Sequence, residues 1–101
     1  MYSNKGELLA VDFYLNTWIK WVEMEKVFIN ALSFSNMNVI DKLLHKFEPQ
    51  GETCIWLLEE SHMAVHTYPE KKYFAIDIFT FSLILIKRLL NNIFPTLSYR
   101  K

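Results

Sequence analysis

The chain is poor in the features that most readily announce a function. It has one cysteine, Cys54, in 101 residues, which rules out an intrachain disulfide and a zinc site built from several thiolates, and suits a reducing compartment. Eleven Lys and Arg against eleven Asp and Glu leave no formal net charge. Basic residues cluster no further than pairs such as Lys71-Lys72 and Lys87-Arg88, so the electrostatic footprint of a nucleic-acid binder is missing. The most apolar run, Tyr73 to Ile86, is broken by Asp77 and falls short of the about 20 residues that span a bilayer. It reads as buried core. Charge at Glu7 and Asp12 arrives before the apolar segment of a signal peptide could develop. The expected location is the cytoplasm, with no membrane and no nucleic acid as partner.

What is present is a core. Residues that are 51% hydrophobic and 16% aromatic suffice for a single compact domain over residues 1–101 that buries roughly 60 to 70% of its unfolded surface. No linker, repeat or low-complexity segment divides it. Leu8 to Leu15 reads as a strand, and Asn16-Thr17 as the cap of a helix whose apolar stripe is Trp18, Trp21, Val22, Phe28, Ile29 and Leu32, with Glu25 interrupting it. Ser33 to Asn38 reads as helix exit and loop. Val39, Ile40, Leu43, Leu44 and Phe47 have helical spacing and, by periodicity alone, predict a helix.

Thr53–Leu58 and Met63–Tyr68 read as neighbouring strands, and Pro69 to Lys72 as a polar turn into the strand Tyr73–Phe79. Ser82 can cap a second helix to about Asn92, and a short strand follows around Thr96 to Tyr99. The expected fold is α+β, a two-layer sandwich of a mainly antiparallel sheet with two helices on one face. Phe74, Ile76 and Ile78 alternate with Tyr73, Ala75, Asp77 and Phe79, so both faces of that strand are largely apolar. A second copy of the chain is the simplest cover for the face the helices leave open, which predicts a homodimer.

Chemistry is densest between Glu59 and Glu70, where Ser61, His62 and His66 stand among carboxylates. A hydroxyl, imidazoles and carboxylates supply a nucleophile, a base and acids, provided the fold brings them within hydrogen-bond reach. Taken alone the stretch reads more readily as a hairpin turn, Glu59-Glu60-Ser61, leading into a half-buried strand. His62 and His66 could share a helical face as metal ligands, but the segment reads as strand and lacks the glutamate of HExxH, so no metal site is expected.

Three separated motifs carry a resemblance. His45-Lys46-Phe47-x-Pro49-Gln50-Gly51, then Glu60-Ser61-His62-x-x-x-His66-Thr67-x-Pro69-Glu70, then Asp77-Ile78-Phe79-Thr80 resemble the prokaryotic S-adenosylmethionine decarboxylases, whose members read close to HKFxPQG, ESHxxxHTWPE and DVFTCG at the same spacings. The opening Gly6 to Tyr14 is similar to the family's first strand. On this resemblance the segment from Val39, against its periodicity, is a strand ending at Pro49-Gln50-Gly51.

The resemblance implies a proenzyme that cuts itself between Glu60 and Ser61. The Ser61 oxygen attacks the Glu60 carbonyl to give an ester, and elimination with loss of ammonia leaves a pyruvoyl group at residue 61. That carbonyl is the implied cofactor, an electron sink for decarboxylation. His66 matches the family's histidine for proton transfer during processing, and Thr53 falls where the family often carries an assisting serine. Phe47, Tyr68 and Glu70 match positions that hold the nucleoside of a small-molecule substrate, Tyr68 in place of the usual Trp.

Two departures bear on the substrate. Phe81 stands where the family has the cysteine expected to protonate the substrate, and phenylalanine has no exchangeable proton. Leu8 replaces a common early histidine, and Ser82 replaces a glycine. The leading expectation is a pyruvoyl-dependent S-adenosylmethionine decarboxylase supplying the aminopropyl donor for spermidine synthesis. The alternatives are a pyruvoyl-dependent arginine or ornithine decarboxylase and a non-catalytic binding or regulatory homologue.

Overall fold

A computed structural model describes residues 2–59, 61–93 and 99–100, with side chains over 6–59, 61–81 and 87–93. The chain runs β1 (Tyr2–Leu15), α1 (Trp21–Phe34), β2 (Val39–Lys46), β3 (Glu52–Leu58), β4 (Ser61–Tyr68), a 3-10 turn (Pro69–Lys71), β5 (Tyr73–Ser82), α2 (Leu83–Ile93) and β6 (Tyr99–Arg100). The strands form one sheet in the order β2-β3-β4-β5-β1-β6, every pair antiparallel. This is the expected α+β two-layer arrangement.

Alternation sorts the strand residues into two faces. The inner face supplies Phe13 and Leu15, Cys54, Trp56 and Leu58, Met63 and Val65, and Phe74, Ile76 and Ile78 to a core that both helices close with Trp21, Met24, Phe28, Leu32, Leu89 and Ile93. Its centre is aromatic: Phe28 meets Trp56 and Phe74 edge-on at 6.0 and 5.5 Å, and Phe74 stacks on Phe13 at 4.7 Å. Edge-on and stacked ring pairs of this kind add about 0.5–1.5 kcal/mol beyond burial.

The first helix starts later than its stripe suggests. Its N-cap is Lys20, without a side-chain cap, so Asn16-Thr17 do not cap it, and Trp18 and Ile19 pack against the core from the preceding loop. Met24 and Ala31 take the buried positions, while Val22 and Ile29 are 57% and 42% exposed. Periodicity alone could not choose between these two phases, since both are apolar. Glu25, which interrupts the stripe, accepts a hydrogen bond from Lys42 Nζ at 2.6 Å, and this bond raises the Lys42 pKa.

Val39–Lys46 is a strand, and its helical spacing is a decoy. β2 is the sheet edge, with only β3 beside it, so seven of its eight residues are exposed and only Leu44 is half-buried. β1 begins at Tyr2 instead of Leu8, with a break in register between Tyr2 and Glu7. Ser82 directly precedes α2, though its side chain lies outside the described residues, as do residues 96–98 of the expected last strand. The strand that is described there pairs Tyr99 and Arg100 with Leu15 and Tyr14.

The outer face of the sheet is covered by no helix among the described residues. It carries Leu8 and Leu43, 68% and 70% exposed, with Ile55 and Leu57 also exposed and Tyr73, Ala75, Asp77 and Phe79 half-buried. Gly6 lies on this face beneath Phe79, and a Cβ there would stand 2.1 Å from the Phe79 Cζ. Gly6→Ala is therefore expected to push that ring aside and lower stability by about 1–3 kcal/mol, read as a fall in denaturation midpoint; an unchanged midpoint would show that the ring yields freely. Among the described residues no helix is long and apolar enough to cross a membrane.

Candidate functional site

The site is built from the antiparallel pairing of β3 and β4 and from the loop that leads into β3. Phe47 N–H donates to the Gly51 carbonyl at 2.8 Å, closing residues 48–50 into a tight turn. Gly51 has φ of +101°, and a Cβ there would sit 3.1 Å from the Thr67 carbonyl oxygen. Both the left-handed backbone and the close approach demand glycine. Glu52 N–H donates to Thr67 Oγ1 at 2.8 Å, and that hydroxyl donates to Glu52 Oε1 at 2.6 Å. The two strand ends are thereby pinned to one another.

This pinning fixes the register Thr53 opposite His66. On the outer face Thr53 Oγ1 lies 3.0 Å from His66 Nδ1, and the imidazole tautomer decides which of them donates. Around the pair opens a pocket of about 400 Å³ lined by Phe47, Gln50, Gly51, Glu52, Thr53, His66, Thr67, Tyr68 and Glu70. Gln50 Nε2 donates to Glu70 Oε1 at 3.3 Å, and His45 meets the Phe47 ring edge-on at 4.5 Å. The volume lies in the range of small-molecule sites. Two aromatic faces, two carboxylates and no Lys or Arg line it, which suits a flat ring bearing hydroxyls or a cationic group.

Five of the residues singled out from sequence therefore meet in one place: Phe47, Thr53, His66, Tyr68 and Glu70. Ser61 does not join them. It opens β4 opposite Leu58, five steps before His66, and an extended strand carries five steps over about 17 Å. Glu60 lies outside the described residues. Ser61 itself, opposite the buried Leu58, falls on the inner face with Met63 and Val65, whereas the outer face at this end of the sheet carries a cluster of its own. His62 stacks on Phe79 at 6.0 Å, Phe79 meets Phe81 edge-on at 5.5 Å, and His62 Nε2 stands 3.9 Å from Asp77 Oδ1. Phe81, where the resemblance leads one to expect a thiol, is half-buried in this aromatic cluster.

Cys54 is on the opposite face. It is fully buried in the inner core, where burial pushes its thiol up to about 11. Among the described residues no group of three His, Cys, Asp or Glu side chains could hold a metal ion.

Sequence reasoning missed Gln50, Glu52 and Thr67, although Gln50 and Thr67 lie inside the quoted motifs. It also missed the brace beneath Tyr68. The Tyr68 ring stacks on Tyr73 at 5.5 Å, Tyr73 on Tyr14 at 4.9 Å, and Tyr73 Oη donates to Asp12 Oδ1 at 2.6 Å. This bond, with burial adding to it, raises the Tyr73 pKa from 10.0 to about 12. The folded chain keeps a proton that the unfolded chain gives up, so stability is full below pH 10 and falls as pH climbs from 10 to about 12. Tyr73→Phe is expected to flatten that part of the melting-temperature profile; an unchanged slope would show that the phenol contributes nothing there.

Fold and site together define a two-layer α+β protein with a small-molecule pocket at one end of a strand and a serine at the other. The family model described as S-adenosylmethionine decarboxylase matches residues 10–99, and the chain belongs to that family. Curated relatives are S-adenosylmethionine decarboxylase proenzymes. That of Pelotomaculum thermopropionicum is 36% identical over 75 residues, 74% of this chain and 58% of the relative. That of a Sulfurihydrogenibium species is 40% identical over 76 residues, 74% and 55%. That of Methanococcus maripaludis is 44% identical over 57 residues, 56% and 47%. The chain thus matches about half the length of these relatives. The crystal structure of the adenosylmethionine decarboxylase from Aquifex aeolicus VF5 superposes with a TM-score of 0.84 at 21% identity, covering 98% of this chain and 85% of that one. The likeness extends to the whole fold.

Proposed function

We propose that this chain is a self-processing, pyruvoyl-dependent S-adenosylmethionine decarboxylase that supplies the aminopropyl donor for spermidine synthesis. The observation that carries the reading is the pocket in which Phe47, Tyr68 and Glu70 surround the Thr53–His66 pair. Phe47 and Tyr68 offer faces for an adenine ring, and Glu70 offers a carboxylate to ribose hydroxyls. The domain is residues 1–101, with cleavage between Glu60 and Ser61. His66 moves the processing proton and Thr53 assists it. The pyruvoyl group formed at residue 61 supplies the electron sink. Placement in the cytoplasm belongs to the same proposal and rests on the single, buried thiol.

The split of the site argues for a homodimer. With Ser61 about 17 Å from His66 along one extended strand, the two cannot serve one small substrate within one protomer. The outer face that joins both ends is the exposed, partly apolar face of the sheet. A second copy packed there in antiparallel fashion would bring its pocket to the end of the first copy's β4 that begins with Ser61. A large apolar face would be covered by the same contact.

The reading is tested by carbon dioxide release from carboxyl-labelled S-adenosylmethionine, measured against arginine and ornithine. Release from S-adenosylmethionine alone is expected. Release only from the free amino acids would replace the substrate, and release from none would leave a binding or regulatory homologue.

A further inference from the structure

A pocket wall made of exposed rings receives a ligand best when the rings are already in place. Phe47 and Tyr68, the two rings that line the pocket, are 50% and 41% exposed. An exposed ring that the ligand itself must immobilise costs about 2- to 10-fold in affinity. The two rings are held very differently. We propose that Tyr73, fixed by Asp12, is a positioning residue that presets the Tyr68 ring as the receiving face for the adenine of the substrate, while Phe47 closes over it; the inference rests on the decarboxylase reading above.

Tyr14, Tyr73 and Tyr68 stand directly opposite one another on β1, β5 and β4, which puts all three on the outer face of the sheet. The Tyr73 ring lies 5.5 Å from that of Tyr68, within 21° of parallel, and 4.9 Å from that of Tyr14, distances at which ring pairs attract. Its hydroxyl donates to Asp12 Oδ1 at 2.6 Å. This is a bond to a carboxylate, stronger than one between neutral groups, and it stops the Tyr73 ring from turning away from Tyr68. Lys71 Nζ, 6.0 Å from the Tyr68 centroid, ends a flexible, exposed side chain and gives way to a ligand.

Phe47 has no such support. Among the described residues its ring has one aromatic neighbour, His45, which it meets edge-on at 4.5 Å, and that exposed imidazole makes no hydrogen bond. One wall of the pocket is therefore fixed and the other adjusts. Tyr14, Tyr73, Asp12 and Tyr68 belong to one chain, so the device acts alike whether or not a second copy completes the site. A preset face lowers the cost of binding and leaves the chemistry at residue 61 untouched, so its loss is read in affinity and KM and not in kcat.

The experiment titrates adenosine into the unmodified protein and its variants, followed by NMR chemical shifts, and measures KM and kcat for carbon dioxide release from S-adenosylmethionine. Tyr73→Leu is expected to weaken adenosine binding about 10-fold and to raise KM by the same factor, with kcat held within about twofold. Tyr73→Phe keeps the stack and gives up only the bond to Asp12, so most of the affinity returns and the loss is about threefold; it carries the test if Tyr73→Leu fails to fold. His45→Ala is expected to stay within about twofold of the unmodified protein. In a Tyr68→Ala chain, adding Tyr73→Leu should change nothing further, because no ring is left to hold, whereas a residue that only stabilises the sheet costs the same in either background. Unchanged affinity in both Tyr73 variants, an equal loss with and without Tyr68, or a larger loss in His45→Ala than in Tyr73→Leu would overturn the proposal. An unmodified protein that binds no adenosine would overturn the reading of the pocket and this one with it.

Discussion

Ser61→Ala is expected to remain a single uncut chain and to release no carbon dioxide from S-adenosylmethionine at any enzyme concentration. Both losses have one cause. In the proposed mechanism the hydroxyl oxygen is the nucleophile that opens the Glu60–Ser61 bond, and the same residue's backbone and side chain become the carbonyl that accepts electrons. An alanine methyl can do neither. The change should leave the fold in place, because Ser61 is half-buried at the first position of β4 and its side chain makes none of the hydrogen bonds that hold the hairpin. Its effect on stability should stay within about 0.5 kcal/mol. Electrophoresis under denaturing conditions and a melting curve read the two consequences separately. Cleavage persisting in the variant would move the nucleophile to another residue.

A mixture of two inactive chains is expected to recover activity. In the proposed split-site dimer, Ser61→Ala keeps its pocket and lacks the cofactor, while a Tyr68→Ala, Glu70→Gln chain keeps Ser61 and loses the pocket. Co-expressed in equal amounts, half of the dimers pair one chain of each kind. Each such dimer has one site in which the Ser61 of one chain faces the intact pocket of the other. About a quarter of the unmodified activity should return. The requirement comes from the strand itself, since Ser61 and His66 on an extended β4 cannot approach one another. Neither parent alone should exceed a small fraction of the recovered rate. A mixture no more active than its better parent would put the whole site within one chain and remove the main support for the dimer.

How much of this was legible in the sequence depends on whether the signal is local. The order of elements follows from apolar alternation and turn residues, and the buried row Phe74, Ile76, Ile78 can be read directly from its period of two. α1 shows the limit of such reading. Val22 and Ile29 are as apolar as Met24 and Ala31, so the phase of the helix is set only by where its preceding loop delivers it. β2 shows another limit: at a sheet edge exposure is nearly continuous, and a chance helical spacing is not contradicted by any buried neighbour. There the motif ending in Gly51 carried information that periodicity did not.

The candidate site divides in the same way. Phe47, Thr53, His66, Tyr68 and Glu70 stand out by residue type and motif, and the β3–β4 register assembles them. Ser61 is close to them in number, yet an extended strand converts five residues into separation. Asp12 and Tyr73 are 61 residues apart, and nothing local in either signals that they brace Tyr68. Glu52 was passed over because a charged residue entering a strand ordinarily faces water, whereas here Thr67 turns its carboxylate into the pocket rim.

The central claim is that Ser61 is a cofactor precursor consumed by the chain's own cleavage, and the intact mass of the purified protein under denaturing conditions tests it most directly. Two fragments are predicted, residues 1–60 and a remainder beginning at residue 61 whose mass and carbonyl reactivity fit a pyruvoyl head. One uncut chain of 12.1 kDa after prolonged incubation, or a remainder still headed by serine, would contradict it.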